Sequence, residues 1–147
     1  MVTSRKILIV DDDQDGAASL GLLLQVCGHE ATVRYDGGSA IELLAEFKPE
    51  VAFVDLSMPV IDGYEVCRHI RGQPWGEEPF VFALTGWMHM EKDALAAGFD
   101  GCLLKPCSLE QLKALLEDPH ARSGRARGLR RGPLGVVPPP RNEAEEA

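Results

Sequence analysis

The chain has 147 residues, an apolar fraction of 45% and a formal net charge of −8, which suits one domain with a real core and room for a tail. The negative balance argues against nucleic-acid binding by bulk electrostatics, and no apolar run approaches the roughly 18 residues that span a bilayer. The acids lie early: residues 1–117 hold nine Lys or Arg against nineteen Asp or Glu, whereas residues 118–147 hold six Arg against four acids.

The N-terminus leads straight into a strand-like run without a signal-peptide core, so a cytoplasmic location is expected. That first run, Lys6–Val10, is continuously apolar after Lys6 and ends in Asp11-Asp12-Asp13. A helix comes next, with its apolar residues in Leu20–Val26 and its end near Gly28, a residue suited to the left-handed position after a helix. Ala31–Tyr35 is predicted as a second strand. Ser39–Phe47 carries Ala40, Ile41, Leu43, Leu44 and Phe47 at helical spacing, and Pro49 comes after it. Val51–Val54 is another fully apolar strand, ended by Asp55. Asp62-Gly63 opens a helix to about Arg71. Phe80–Leu84 is a fourth strand, ended by Thr85-Gly86. Glu91–Ala97 is a short helix closed by Gly98, and Cys102–Leu104 a last strand ended by Lys105-Pro106. Ser108, with Gln111 three residues on, fits a capping box for a final helix to about Glu117.

Five strand–helix units in alternation predict an α/β fold: a five-stranded parallel sheet, doubly wound, with five helices. Strands covered on both faces should be continuously apolar, as three of these are. The predicted domain covers 1–118. Residues 119–147, rich in Arg, Gly and Pro, read as a disordered tail. Its arginines suit a solvated segment, with a contact to an acidic lipid, RNA or a protein partner as the alternative. The cysteines Cys27, Cys67, Cys102 and Cys107 lack CxxC spacing and are read as reduced structural thiols.

Parallel strands deliver their polar C-terminal residues to one edge of the sheet, where α/β ligands bind. Asp11, Asp12, Asp55, Thr85 and Lys105 therefore converge. Clustered carboxylates repel and raise one another's pKa, and a hard cation such as Mg²⁺ resolves the repulsion with oxygen ligands. A carboxylate beside Mg²⁺, an ammonium and a hydroxyl is equipped to accept a phosphoryl group. A calcium loop is the rival reading of Asp11-Asp12-Asp13-Gln14-Asp15-Gly16, but its twelfth position is Leu22 rather than Glu. Asp13 and Asp15 instead suit a helix N-terminus.

The motifs Val10-Asp11-Asp12, Asp55-Leu56-Ser57-Met58-Pro59 with Asp62-Gly63, Ala83-Leu84-Thr85-Gly86 and Lys105-Pro106 together resemble the receiver family of two-component response regulators. The resemblance implies a flavodoxin-like sheet of order 2-1-3-4-5. It implies that Asp55 is the phosphoacceptor and that Asp12, Asp55 and the Ser57 carbonyl ligate Mg²⁺. Asp11 would hold the metal through water, and Thr85 and Lys105 would bind the phosphoryl group. It also implies a cis Lys105–Pro106 peptide. The phosphodonor would be a histidine kinase or histidine phosphotransfer protein, and a downstream protein would dock on the face of the fourth helix, fifth strand and fifth helix. The protein would be a self-phosphorylating and self-dephosphorylating phosphoacceptor rather than a turnover enzyme. No DNA-binding domain or membrane span is recognised in the sequence. Cys102 stands where the family usually has an aromatic or His that turns inward as Thr85 moves. Two outputs stay open: a phosphorylation-driven switch, or a phosphate sink or relay carrier without conformational output. Trp87, two residues after Thr85, is placed to shield an acyl phosphate. A haloacid-dehalogenase-type phosphatase would want a second acid where Ser57 stands.

Overall fold

A computed structural model describes residues 4–124. Five strands, β1 (Lys6–Val10), β2 (Glu30–Arg34), β3 (Val51–Asp55), β4 (Phe80–Thr85) and β5 (Gly101–Leu104), alternate with helices α1 (Gln14–Val26), α2 (Gly37–Leu43), α3 (Gly63–Arg71), α4 (Glu91–Ala96) and α5 (Leu109–Glu117). A short sixth helix, α6 (Pro119–Arg122), comes last. All pairings are parallel, in the order β2-β1-β3-β4-β5. The doubly wound α/β prediction is met, with one helix more than expected.

Side-chain alternation along the central strands shows why two layers of helices are needed. Leu8, Val10, Ala52, Val54, Val81 and Ala83 face one way and pack with α2, α3 and α4 residues such as Ala40, Val66, Ile70 and Ala94. Ile7, Ile9, Val51, Phe53, Phe82 and Leu84 face the other way, onto Ala17 and Leu24 of α1 and Leu112, Leu115 and Leu116 of α5. Both faces are dry, so both sets are apolar and the runs read as continuous.

The helix starts are written locally. Asp13, Asp36, Asp62 and Ser108 each cap a helix, accepting from the backbone N–H of Gly16, Ser39, Glu65 and Gln111. The capping box at Ser108 is present on both sides. Gly28 lies just past α1 at φ +98°, the left-handed conformation open to glycine. Boundaries moved by a few residues: α2 is regular only to Leu43, and Leu44, Ala45 and Glu46 continue as turns. β2 starts at Glu30, β5 at Gly101, and β3 and β4 run on into Asp55 and Thr85.

The fold also runs past the boundary expected at 118. Asp118 accepts from the Ala121 N–H and starts α6, with Pro119 in its first turn. His120 packs edge-on against Phe80. Ser123 is fully buried, and its Oγ donates to Asp100 Oδ1 at 3.1 Å. Residues 119–124 thus belong to the packed structure, held by partners far away in sequence. The remainder of the expected tail, 125–147, lies outside the described residues. Among the described residues no helix is long and apolar enough to cross a membrane.

Candidate functional site

Sequence order and parallel topology bring the ends of β1, β3, β4 and β5 to one edge. Directly after β1 stands Asp11, whose N–H donates to Arg34 O at 3.1 Å and so keeps it in the sheet's line. Asp55 ends β3 and Thr85 ends β4; these three side chains are buried. Lys105 comes directly after β5, its N–H donating to Thr85 O at 2.7 Å. The peptide after it, Lys105–Pro106, is cis, as expected.

Asp11, Asp12 and Asp55 each present a carboxylate oxygen within 4.8 Å of the others. Lys105 Nζ lies 2.9 Å from Asp11 Oδ2 and 3.6 Å from Asp55 Oδ2. The remaining oxygens are tied to the backbone: Asp11 Oδ1 accepts from the Asp13 N–H at 3.0 Å, and Asp55 Oδ1 from the Ser57 N–H at 3.1 Å. Thr85 Oγ1 accepts from the Trp87 N–H at 3.1 Å, which leaves the hydroxyl proton to donate elsewhere.

The electrostatics result from this crowding. Burial, then the Asp11 charge, pushes Asp55 up to about 7, while Lys105 and the Ser57 N–H pull it down. Burial works against the charge on Lys105, but its hydrogen bond to Asp11 and the charges of Asp55 and Asp11 outweigh it, and its pKa is raised. One ammonium thus faces three carboxylates. The donor set is all oxygen, closely spaced and under-neutralised, which fits a hard divalent cation such as Mg²⁺ and not a soft one. Asp11, Asp12 and Asp55 are the side chains able to hold it.

The loop after β3 is shaped by a close approach. A Cβ on Gly63 would stand 2.3 Å from Asp55 O, so the start of α3 can pack against the Asp55 backbone only with glycine there. The Gly63 N–H donates to Leu56 O at 3.1 Å. The Asp62-Gly63 pair therefore both caps α3 and seats the phosphoacceptor candidate's strand end.

The structure places Asp11, Asp12, Asp55, Thr85 and Lys105 together, with the Ser57 N–H on Asp55. Cys102 lies on β5 away from this cluster, half-buried against the α3–α4 layer. Burial, then the charge of Glu91, pushes its thiol up to about 11. One element of the surroundings escaped sequence reasoning. Arg71 and Asp100 form a fully buried ion pair at 2.9 Å. Arg71 also donates to the carbonyls of Gly76, Pro79 and Gly98, and Asp100 Oδ2 accepts from the Val81 N–H. The signal was an acid inside the apolar stretch Ala96–Leu104, which needs a buried partner; the partner's identity was not legible.

A family model described as response regulator receiver domain matches residues 7–117. Among curated proteins, Response regulator MprA of Mycobacterium tuberculosis is 36% identical over 113 residues, covering 76% of this chain and 48% of MprA. Transcriptional regulatory protein PrrA of Mycobacterium bovis is 33% identical over 123 residues, covering 84% of this chain and 53% of PrrA. The chain thus spans about half the length of these relatives. Among solved structures, chemotaxis protein CheY4 of Vibrio cholerae matches with a TM-score of 0.72 at 29% identity, covering 78% of this chain and 97% of that one. The receiver domain of sensor histidine kinase PA1611 from Pseudomonas aeruginosa, described with a magnesium ion coordinated in its active-site cleft, matches with a TM-score of 0.69 at 28% identity over 78% of this chain and 95% of that one. With the parallel sheet, the acidic cluster and the lysine already in place, the chain belongs to the response regulator receiver domain family.

Proposed function

We propose that Asp55 accepts a phosphoryl group from the phosphohistidine of a histidine kinase or phosphotransfer protein, with Mg²⁺ at Asp11, Asp12, Asp55 and the Ser57 carbonyl. The observation that carries this reading is one cluster holding three carboxylates within 4.8 Å and an ammonium at 2.9 and 3.6 Å from two of them. When bound, Mg²⁺ supplies the charge that lets the carboxylates and the phosphoryl oxygens share one site. A carboxylate oxygen of Asp55 forms the new O–P bond while the N–P bond of the donor breaks; the imidazole keeps the electron pair and takes a proton. The Ser57 N–H holds the other carboxylate oxygen and fixes the direction of attack. Lys105, already paired with Asp55, stays against the phosphoryl oxygens, and the Thr85 hydroxyl donates to one of them. Water attack at phosphorus returns Asp55 and inorganic phosphate, so the chain resets itself and is not a turnover enzyme. The acyl phosphate then acts as a switch that alters binding of a protein partner. Cys102 in place of a switching aromatic favours a second reading, a phosphate sink or relay carrier.

The test is labelling with a small-molecule phosphodonor and Mg²⁺, read by intact mass. Wild type should gain one phosphoryl group, and Asp55→Ala should gain none. Labelling that survives Asp55→Ala overturns the assignment. Omitting Mg²⁺ should reduce labelling to background.

A further inference from the structure

The loop that joins Asp55 to α3 is folded against the preference of one of its residues. The Ile61 N–H donates to Pro59 O at 2.8 Å across Val60, whose φ is +68°. A three-residue turn with positive φ at its centre is the rare and strained form. Valine is β-branched and poorly suited to that conformation. Its side chain is fully exposed here, so no packing offsets the strain. Glycine would adopt the same φ without a steric penalty. Strain of this kind persists only where the surrounding structure imposes it.

The restraint comes from α2. Ile61 is half-buried against the core, over the first residue of that helix. A Cβ on Gly37 would stand 2.6 Å from Ile61 Cγ2 and 2.8 Å from both Ile61 Cβ and Ile61 O. Side chain and main chain of Ile61 are thus both seated in the space that glycine leaves. On the other side of the turn Met58 is buried in the core, and Ser57 donates its N–H to Asp55 Oδ1 at 3.1 Å. A push on Ile61 must be absorbed by the turn or passed back toward Ser57. Proline has a fixed φ and valine a stiff side chain, so Pro59 and Val60 absorb little of it.

We propose that Gly37 is a positioning residue for the phosphorylation site. It seats Ile61, Ile61 holds the turn at Val60 closed, and the closed turn fixes the Ser57 peptide, whose N–H orients Asp55 and whose carbonyl is assigned to the metal. The proposal rests on the phosphoacceptor reading above and adds to it a residue of α2 that touches neither metal nor phosphoryl group.

Mg²⁺ titration of the full chain by calorimetry tests it. Gly37→Ala should raise the Mg²⁺ Kd roughly tenfold, the usual loss when a group that orients a metal ligand is disturbed. Gly21→Ala is the matched control: its Cβ would stand 2.4 Å from Val33 Cγ2, between α1 and β2. It overpacks the fold away from the loop, and its Kd should equal that of wild type. Adding Val60→Gly to Gly37→Ala gives the turn a residue that absorbs the displacement and should restore most of the lost affinity. Ile61→Ala removes the anchor without a clash and should also weaken Mg²⁺ binding, which keeps the test open if Gly37→Ala does not fold. Wild-type affinity in Gly37→Ala, or in Ile61→Ala where that variant stands in for it, overturns the proposal. So does equal weakening in Gly21→Ala, which would mean a general loosening of the fold, and so does a Val60→Gly double variant that recovers nothing. A wild type that takes up no Mg²⁺ overturns the metal reading itself and this proposal with it, whereas wild-type binding with an indifferent Gly37→Ala overturns this proposal alone.

Discussion

Single residues here carry constraints that their type alone explains. Gly63 is needed because any side chain would meet Asp55 O at 2.3 Å. Gly63→Ala should therefore cost about 1–3 kcal/mol, the usual range for overpacking, and should also slow phosphorylation because the displaced backbone carries Asp55. Urea unfolding together with phosphodonor kinetics would measure both. His29 is buried beside β1, and its Nδ1 accepts the Arg5 N–H at 3.1 Å. Burial, then the Arg5 charge, lowers its pKa below 6.5 against the opposing pull of Glu50. The unfolded chain thus binds more protons between the depressed folded pKa and about 6.5. His29 contributes stability that is present above about 6.5 and is lost as pH falls through its folded pKa. Unfolding free energies measured at pH 7.5 and pH 5.5 should drop more between the two for wild type than for His29→Asn; equal drops would remove His29 from the acid response.

At the scale of elements, the Arg71–Asp100 pair joins the end of α3 to the entrance of β5, the strand that leads to Lys105. It also collects the Val81 N–H of β4 and Ser123 after α6. A buried pair of this kind adds little relative to an apolar replacement, but breaking one side leaves an uncompensated charge. Arg71→Met should destabilise by about 3–5 kcal/mol. Adding Asp100→Asn should recover part of that loss, because the amide oxygen still accepts the Val81 N–H while the orphaned charge is gone. Denaturant midpoints of the two single variants and the double variant give the coupling; strict additivity would mean the two residues act separately.

For the whole molecule, the site exists only when four strand ends meet, so cation binding and folding are linked. A ligand that binds only the folded state at a hundred times its Kd stabilises by about 2.7 kcal/mol. Mg²⁺ should raise the thermal midpoint with the concentration dependence of a single site, and Asp12→Ala should abolish most of the rise. A midpoint insensitive to millimolar Mg²⁺ in wild type would count against the metal assignment. Calcium should bind with less demand on geometry, since Mg²⁺ prefers strict octahedral oxygen ligation.

Local chemistry in the sequence was enough for the five strand–helix units and for which strand-end residues meet at one edge of the sheet. Apolar runs bounded by acids marked strands buried on both faces, and Asp13, Asp62 and Ser108 marked helix starts because a cap needs only its own next turn. The parallel rule then sent Asp11, Asp55, Thr85 and Lys105 to one edge without any coordinates. What required the tertiary structure depends on partners distant along the chain. Arg71 and Asp100 are 29 residues apart and Ser123 lies 23 beyond Asp100, so neither the buried pair nor the docking of 119–124 leaves a periodic trace. The distances that set the charge balance at Asp55 were equally hidden, because spacing names the groups at a sheet edge but only packing decides how closely they approach.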